Sequence, residues 1–146
     1  MAVRNPAMAL IRCMVAVTGR HFKRRRPLRQ RVRRYAGAAA TDDDNNARLL
    51  AELAGVPMER RGARYRCVLV LVRDAGDSTP LVASGTWEGR IASARAGSGG
   101  FGYDPLFIPE GHEVTAAELP SALKNAQSHR AKALAALVGQ LERGGW

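Results

Sequence analysis

A chain of 146 residues is one domain's worth of sequence, long enough to bury a sizeable core, and none of its stretches approaches the roughly 20 apolar residues of a membrane span. The formal charge of +10 invites a nucleic-acid reading, but residues 1–35 hold 11 Arg or Lys and no acid, leaving 12 bases against 13 acids in residues 36–146. Two cysteines, Cys13 and Cys67, give no disulfide framework, so a reducing cytoplasmic setting is expected.

Residues 1–33 form a basic, Arg-rich segment. Its apolar stretch is interrupted by Arg12 and lacks the uninterrupted centre and cleavage site of a secretory signal. It reads as a disordered, solvated charge run, with a transit peptide or a nucleic-acid-binding arm as the alternatives. From residue 34 the texture is that of a folded α/β domain. "TDDDNNARLLAELAGVP" opens on capping residues and acids, carries Leu49, Leu50 and Leu53 on one face, and stops at Gly55 with Pro57 beyond, which predicts a helix of about three turns. "RYRCVLVLVR" holds six consecutive apolar residues, Cys67 to Val72, and reads as a strand covered on both faces. After the turn "DAGDSTP", "LVASGTWEGRIA" is a second strand, and the two predict a long antiparallel hairpin.

Next comes "GSGGFGYDPLF", residues 97–107, whose glycines suit backbone that bends through positive φ or approaches a ligand closely. It does not open into a helix with a Lys-Ser/Thr join, and Pro105 pushes Asp104 away from helical geometry, so no phosphate-loop template fits. "LFIP" predicts a short strand. Thr115 and Glu118 form a possible capping box that Pro120 interrupts, and a last helix starts at Ser128 as N-cap, with Leu134, Leu137, Val138 and Leu141 at helical spacing and Gly144 as stop. The order of elements predicts an α/β fold with a mixed sheet.

His129 and Arg130 stand at the start of that last helix, with Lys124 just upstream. Positive side chains face the wrong end of the macrodipole there, at a cost of roughly 0.3–1 kcal/mol per charge. Together with the free N–H groups of the first turn they make a donor-rich pocket suited to an anion or to carbonyl oxygens; a solvated helix start is the plain alternative. Phe101 and Tyr103 add flat apolar faces and Asp104 an acceptor, which is how a nucleobase is held, with stacking contributing about 1–3 kcal/mol. Lys and Arg only donate, so such a site accepts a 6-oxo purine and is mismatched to a 6-amino one.

"RYAGAAATDDDNNARLLAEL", "SGTWEGRI", "GSGGFGYDPLF" and "TAAELPSALKNAQSHRAKAL", in this order and at this spacing, resemble the inosine/xanthosine triphosphate pyrophosphatases, the dITP/XTP diphosphatases. The resemblance runs from about Arg34 to the C-terminus. It implies an elongated mixed sheet between two lobes, a homodimer, no membrane or nucleic-acid partner, and Mg²⁺-dependent cleavage of non-canonical purine nucleoside triphosphates to monophosphate and pyrophosphate. By motif position Phe101 would stack on the base, and Asp104, Lys124, His129 and Arg130 would belong to the base pocket. Gly102 and Tyr103 are carried with the same motif, although Tyr103 and Tyr65 also read as core or sheet aromatics and Trp87 as a packing or dimer residue.

Two parts of the family pattern are not intact. "VAVTGRHFK" echoes the triphosphate-binding Thr/Ser-Gly-Asn-x-x-Lys through Thr18, Gly19 and Lys23, but Arg20 stands where the Asn should be. The Asp-Asp-Ser-Gly stretch that supplies the metal ligand and the water-activating carboxylate is absent, so no catalytic residue and no metal ligand is assigned. The run Asp42-Asp43-Asp44 is placed for helix capping rather than metal binding. A wrong gene start or a change of reading frame upstream of Arg34 would produce both the acid-free segment and the lost motifs. A non-catalytic purine-nucleotide binding module and a nucleic-acid-binding protein acting through the arm are the competing readings.

Overall fold

The computed structural model describes residues 36–71 and 77–144 in full and, for residues 9–18 and 72, the course of the backbone. The Arg cluster and the Gly19–Lys23 echo lie outside the described residues, as do residues 73–76 at the start of the turn before β3. Four strands form one mixed sheet in the order β1 (Ala9–Thr18), β2 (Gly62–Val72), β3 (Leu81–Ile91) and β4 (Phe107–Pro109). β1 runs parallel to β2, and the other two pairings are antiparallel. Three helices complete the fold: α1 (Asp42–Glu52), α2 (Ser121–Gln127) and α3 (His129–Glu142). Among the described residues no helix is long and apolar enough to cross a membrane.

The expectation of disorder over residues 1–33 does not hold at Ala9–Thr18. Apart from Arg12 and Thr18 this stretch is apolar, and pairing Ala9 with Ala63 through to Thr18 with Val72 occupies the edge that β2 would otherwise leave open. The hairpin of β2 and β3 forms as predicted, with Tyr65 opposite Trp87 and Leu71 opposite Leu81. Burial along β2 alternates, however. Ala63, Tyr65, Cys67 and Leu69 are buried while Val68 and Val70 are half-buried, so one face is covered and the other only in part. The reason is that the helices packed on it share a face: Leu49 and Leu53 of α1 cluster with Tyr65, and Ala133 and Leu137 of α3 cluster with Cys67 and Leu69.

Thr41 caps α1 in a full capping box. Its hydroxyl accepts from the Asp44 N–H at 3.1 Å, and the Asp44 carboxylate accepts from the Thr41 N–H at 2.8 Å. At the other end Arg61, buried, donates to the carbonyls of Val56, Leu53 and Ala92, so the last turn of α1 is fixed to the segment after β3. Pro120 does not break a helix but precedes one: α2 starts directly after it, where a missing N–H costs nothing. The Thr115–Glu118 box closes a turn instead, its Glu118 carboxylate accepting from the Thr115 N–H at 2.8 Å.

Ser128 caps α3 by accepting from the Ala131 N–H at 3.3 Å. The helical spacing of Leu134, Leu137, Val138 and Leu141 is real, but only Leu137 is buried; α3 meets the sheet through Ala133 and Leu137. The approach is close because Gly85 of β3 lies under the first turn, where a Cβ would collide with the His129 carbonyl oxygen and the Ala133 amide.

Candidate functional site

The glycine-rich loop runs from the end of β3 to β4, between the starts of α1 and α3. Gly100 adopts φ 85°, and a Cβ there would overlap Asp104 and Lys124, so this glycine lets the backbone pass against a buried ion pair. Asp104 is that pair's anion. Its Oδ2 accepts from the Lys124 ammonium at 2.5 Å and from the Phe101 N–H at 3.1 Å, and its Oδ1 accepts from the Tyr65 hydroxyl at 3.1 Å. Side-chain exposure is 7% for Asp104 and 14% for Lys124. The carboxylate therefore faces inward and organises the loop, leaving about one of its roughly four lone-pair sites open, while Lys124 keeps two donors.

Tyr65 links this pair to α3. Burial first, and then the Asp104 charge, raise its phenol well above the ordinary value, so it remains a donor. Its ring lies nearly parallel to the His129 imidazole, with centroids 4.9 Å apart and 12° between planes, and meets Phe107 edge-on at 4.6 Å. Burial, followed by the neighbouring Arg130 charge and opposed by Asp104, lowers the His129 pKa to about 4. The imidazole is thus neutral near pH 7, and its buried Nδ1 has no hydrogen-bond partner among the described residues. Such an atom is costly to leave unpaired unless something else completes it.

Phe101 is 52% exposed, and the Arg130 guanidinium stands over its ring at 4.9 Å. One continuous set of contacts therefore joins Arg130, Phe101, Asp104, Lys124, Tyr65 and His129. Tyr103 is buried in the core cluster with Leu106 and Phe107, and Trp87 packs against Tyr65 and Phe107 at 4% exposure. Gly102, at φ 63°, is held by α1: its N–H donates to Asp42 and its carbonyl accepts from Asn46, both at 2.9 Å.

Tyr65, Asp42 and Asn46 are the residues that sequence reasoning passed over. Asn46 carried a signal, because it shares the helical stripe of Leu49, Leu50 and Leu53, where a polar side chain must find a buried partner. Tyr65 carried a weaker one, a hydroxyl at an inward position of β2.

Asp42, Asp43 and Asp44 are engaged separately, with the Gly102 N–H, the Arg95 guanidinium at 2.6 Å and the Thr41 cap. Among the described residues no group of three or more His, Cys, Asp or Glu side chains comes together to hold a metal ion. An open cavity of about 410 Å³ beside Trp87, lined also by Glu88, His112 and Lys132, shares no residue with the glycine-rich loop.

Comparison with known proteins gives a consistent result. The sequence profile of the Ham1 family matches residues 30–140. A dITP/XTP pyrophosphatase of Methylococcus capsulatus is 60% identical over 108 residues, covering 74% of this chain and 54% of the relative. One from Xanthomonas campestris is 51% identical over the same coverage. Among solved structures, a HAM1 protein from Coxiella burnetii superposes with a TM-score of 0.70 at 43% identity, covering 75% of this chain and 56% of that one. The Staphylococcus aureus Ham1 protein gives 0.69 at 34% identity, covering 76% and 56%. The chain spans about half the length of the curated relatives it matches.

Proposed function

The chain belongs to the Ham1 family, and from that premise we propose that it carries the base-recognition part of a dITP/XTP pyrophosphatase. In this reading Phe101 stacks on a 6-oxo purine such as hypoxanthine or xanthine. Lys124, Arg130 and the free N–H groups at the start of α3 donate to its oxygens, and the triphosphate is cleaved to monophosphate and pyrophosphate. The observation that carries it is the half-exposed Phe101 ring under the Arg130 guanidinium, next to a lysine with donors to spare. Lys124 and Arg130 only donate, which favours a 6-oxo over a 6-amino purine. A Mg²⁺ requirement, a homodimer and a cytoplasmic setting go with the proposal, and no described residue is assigned to the metal.

A second reading, purine-nucleotide binding without turnover, is favoured by one observation: the three acids of α1 are committed to protein groups and no metal-ligating cluster forms among the described residues. Pyrophosphate release from dITP or XTP in the presence of Mg²⁺, measured beside the affinity for ITP and ATP, separates the two. Turnover supports the first reading and ITP binding without release the second; equal affinity for ITP and ATP overturns the 6-oxo preference. Arg130→Ala should weaken ITP more than ATP.

A further inference from the structure

The start of α1 does more than begin a helix. Asp42 and Asn46 are four residues apart and so lie on one face, and between them they grip both polar groups of a single loop residue, the Gly102 N–H and its carbonyl. Asp43 holds Arg95, just upstream of the same loop. Asp44 alone is spent on the cap. Gly102 directly follows Phe101, and a peptide between an exposed aromatic and a left-handed glycine has many alternative conformations unless something holds it.

We propose that Asp42 and Asn46 are positioning residues for base recognition, fixing through Gly102 where the Phe101 ring stands beneath Arg130. Its purpose rests on the base-binding role given to Phe101 above; its geometry does not. Preorganisation of this kind removes an ordering cost that the ligand would otherwise have to meet. Asn46 is 1% exposed and its Oδ1 has no hydrogen-bond partner among the described residues, so its presence on a leucine stripe is not explained by core packing.

The test uses the full chain with Asp42→Ala, Asp42→Asn, Asn46→Leu and Phe101→Ala, alone and combined. Loss of either grip should weaken ITP about ten-fold, the size of one hydrogen bond to a loop backbone group. Asp42→Asn keeps an acceptor and should recover most of that loss. Asn46→Leu extends the apolar stripe and should hold the melting temperature while still losing affinity, which a merely structural residue would not do. In the Phe101→Ala background the same changes should cost less than about two-fold, because residues acting through one ring are not additive. Fully additive losses overturn the proposal.

A parent chain that binds no ITP would overturn the functional reading instead. The positioning is then decided by NMR without ligand: contacts between the Phe101 ring and the Arg130 side chain, and slow exchange of the Gly102 amide, should be lost in Asp42→Ala. Their survival overturns it.

Discussion

α1 and α3 both begin beside the glycine-rich loop, and they begin with opposite charge. α1 has Asp42, Asp43 and Asp44 in its first turn; α3 has His129 and Arg130 and no acid. The acids complement the helix dipole, and each of their contacts is to the protein itself: a cap, an arginine and a loop amide. Arg130, charged, opposes the dipole and stands over Phe101, while the neutral His129 packs on Tyr65. One helix start is therefore spent on holding the loop, while the other keeps its donors turned outward at a cost to its own stability. That asymmetry separates scaffold from site more sharply than burial does, since Asp104 and His129 are buried too.

The most damaging way to break the asymmetry is to unseat α3. Gly85→Ala drives a methyl into the His129 carbonyl and the Ala133 amide, both of them backbone, so the helix must lift from β3. An overpacking loss of about 3 kcal/mol is expected, together with loss of ITP binding, while the α1 contacts to Gly102 persist. Urea unfolding and the Gly102 amide shift read the two parts separately. Lys124→Met comes next. It leaves Asp104 buried with its remaining donors and no countercharge, for which removal of one partner costs roughly 3–5 kcal/mol when burial is complete. The 14% exposure of Lys124 puts the expected loss at about 2–3 kcal/mol in urea unfolding.

The parts of this molecule that were legible in its sequence are those governed by local signals. Thr41 with Asp44, Gly55 with Pro57, and Ser128 fixed the helix ends, and the apolar run opposite "LVASGTWEGRIA" fixed the hairpin. β1 was hidden because Arg12 and the arginines after it dominate the composition, whereas a mostly apolar stretch beside an open sheet edge is enough for a strand. α2 was hidden because Pro120 was weighed as a breaker rather than as a residue preceding a first turn. In the site, the bond from Tyr65 to Asp104 spans 39 residues, and those from Asn46 and Asp42 to Gly102 span 56 and 60. Local pattern does not encode such pairings. The stray Asn on a leucine stripe pointed to them and, more weakly, the hydroxyl of the inward Tyr65.

A milder test sharpens the comparison through pH. Folded, His129 titrates near 4, against about 6.5 when unfolded. The unfolded state therefore takes up the proton first as pH falls, so the contribution of His129 is complete above about 6.5 and is lost progressively down to about 4. His129→Phe keeps a flat ring against Tyr65 and removes the titration. The difference in stability between wild type and variant should be constant above about pH 7 and should shift in the variant's favour on acidification. A difference that does not change with pH would mean that the imidazole is not held neutral by burial and by Arg130.

The smallest expected effect is also the only gain. Arg130→Glu exchanges a charge that opposes the α3 dipole for one that complements it, each worth about 0.3–1 kcal/mol at low ionic strength. Against this stands the cation–π contact with Phe101, about 0.5–1 kcal/mol at an exposed site. The balance is a stabilisation of about 0.5 kcal/mol, detectable as a slightly higher urea midpoint that shrinks with added salt. ITP affinity should fall by more than ten-fold in the same variant, because a donor facing a 6-oxo group has been replaced by an acceptor. A more stable chain that no longer binds is the signature of a residue kept for its ligand. A less stable one would mean that the basic start of α3 serves the fold, and the contrast with α1 would lose its functional meaning.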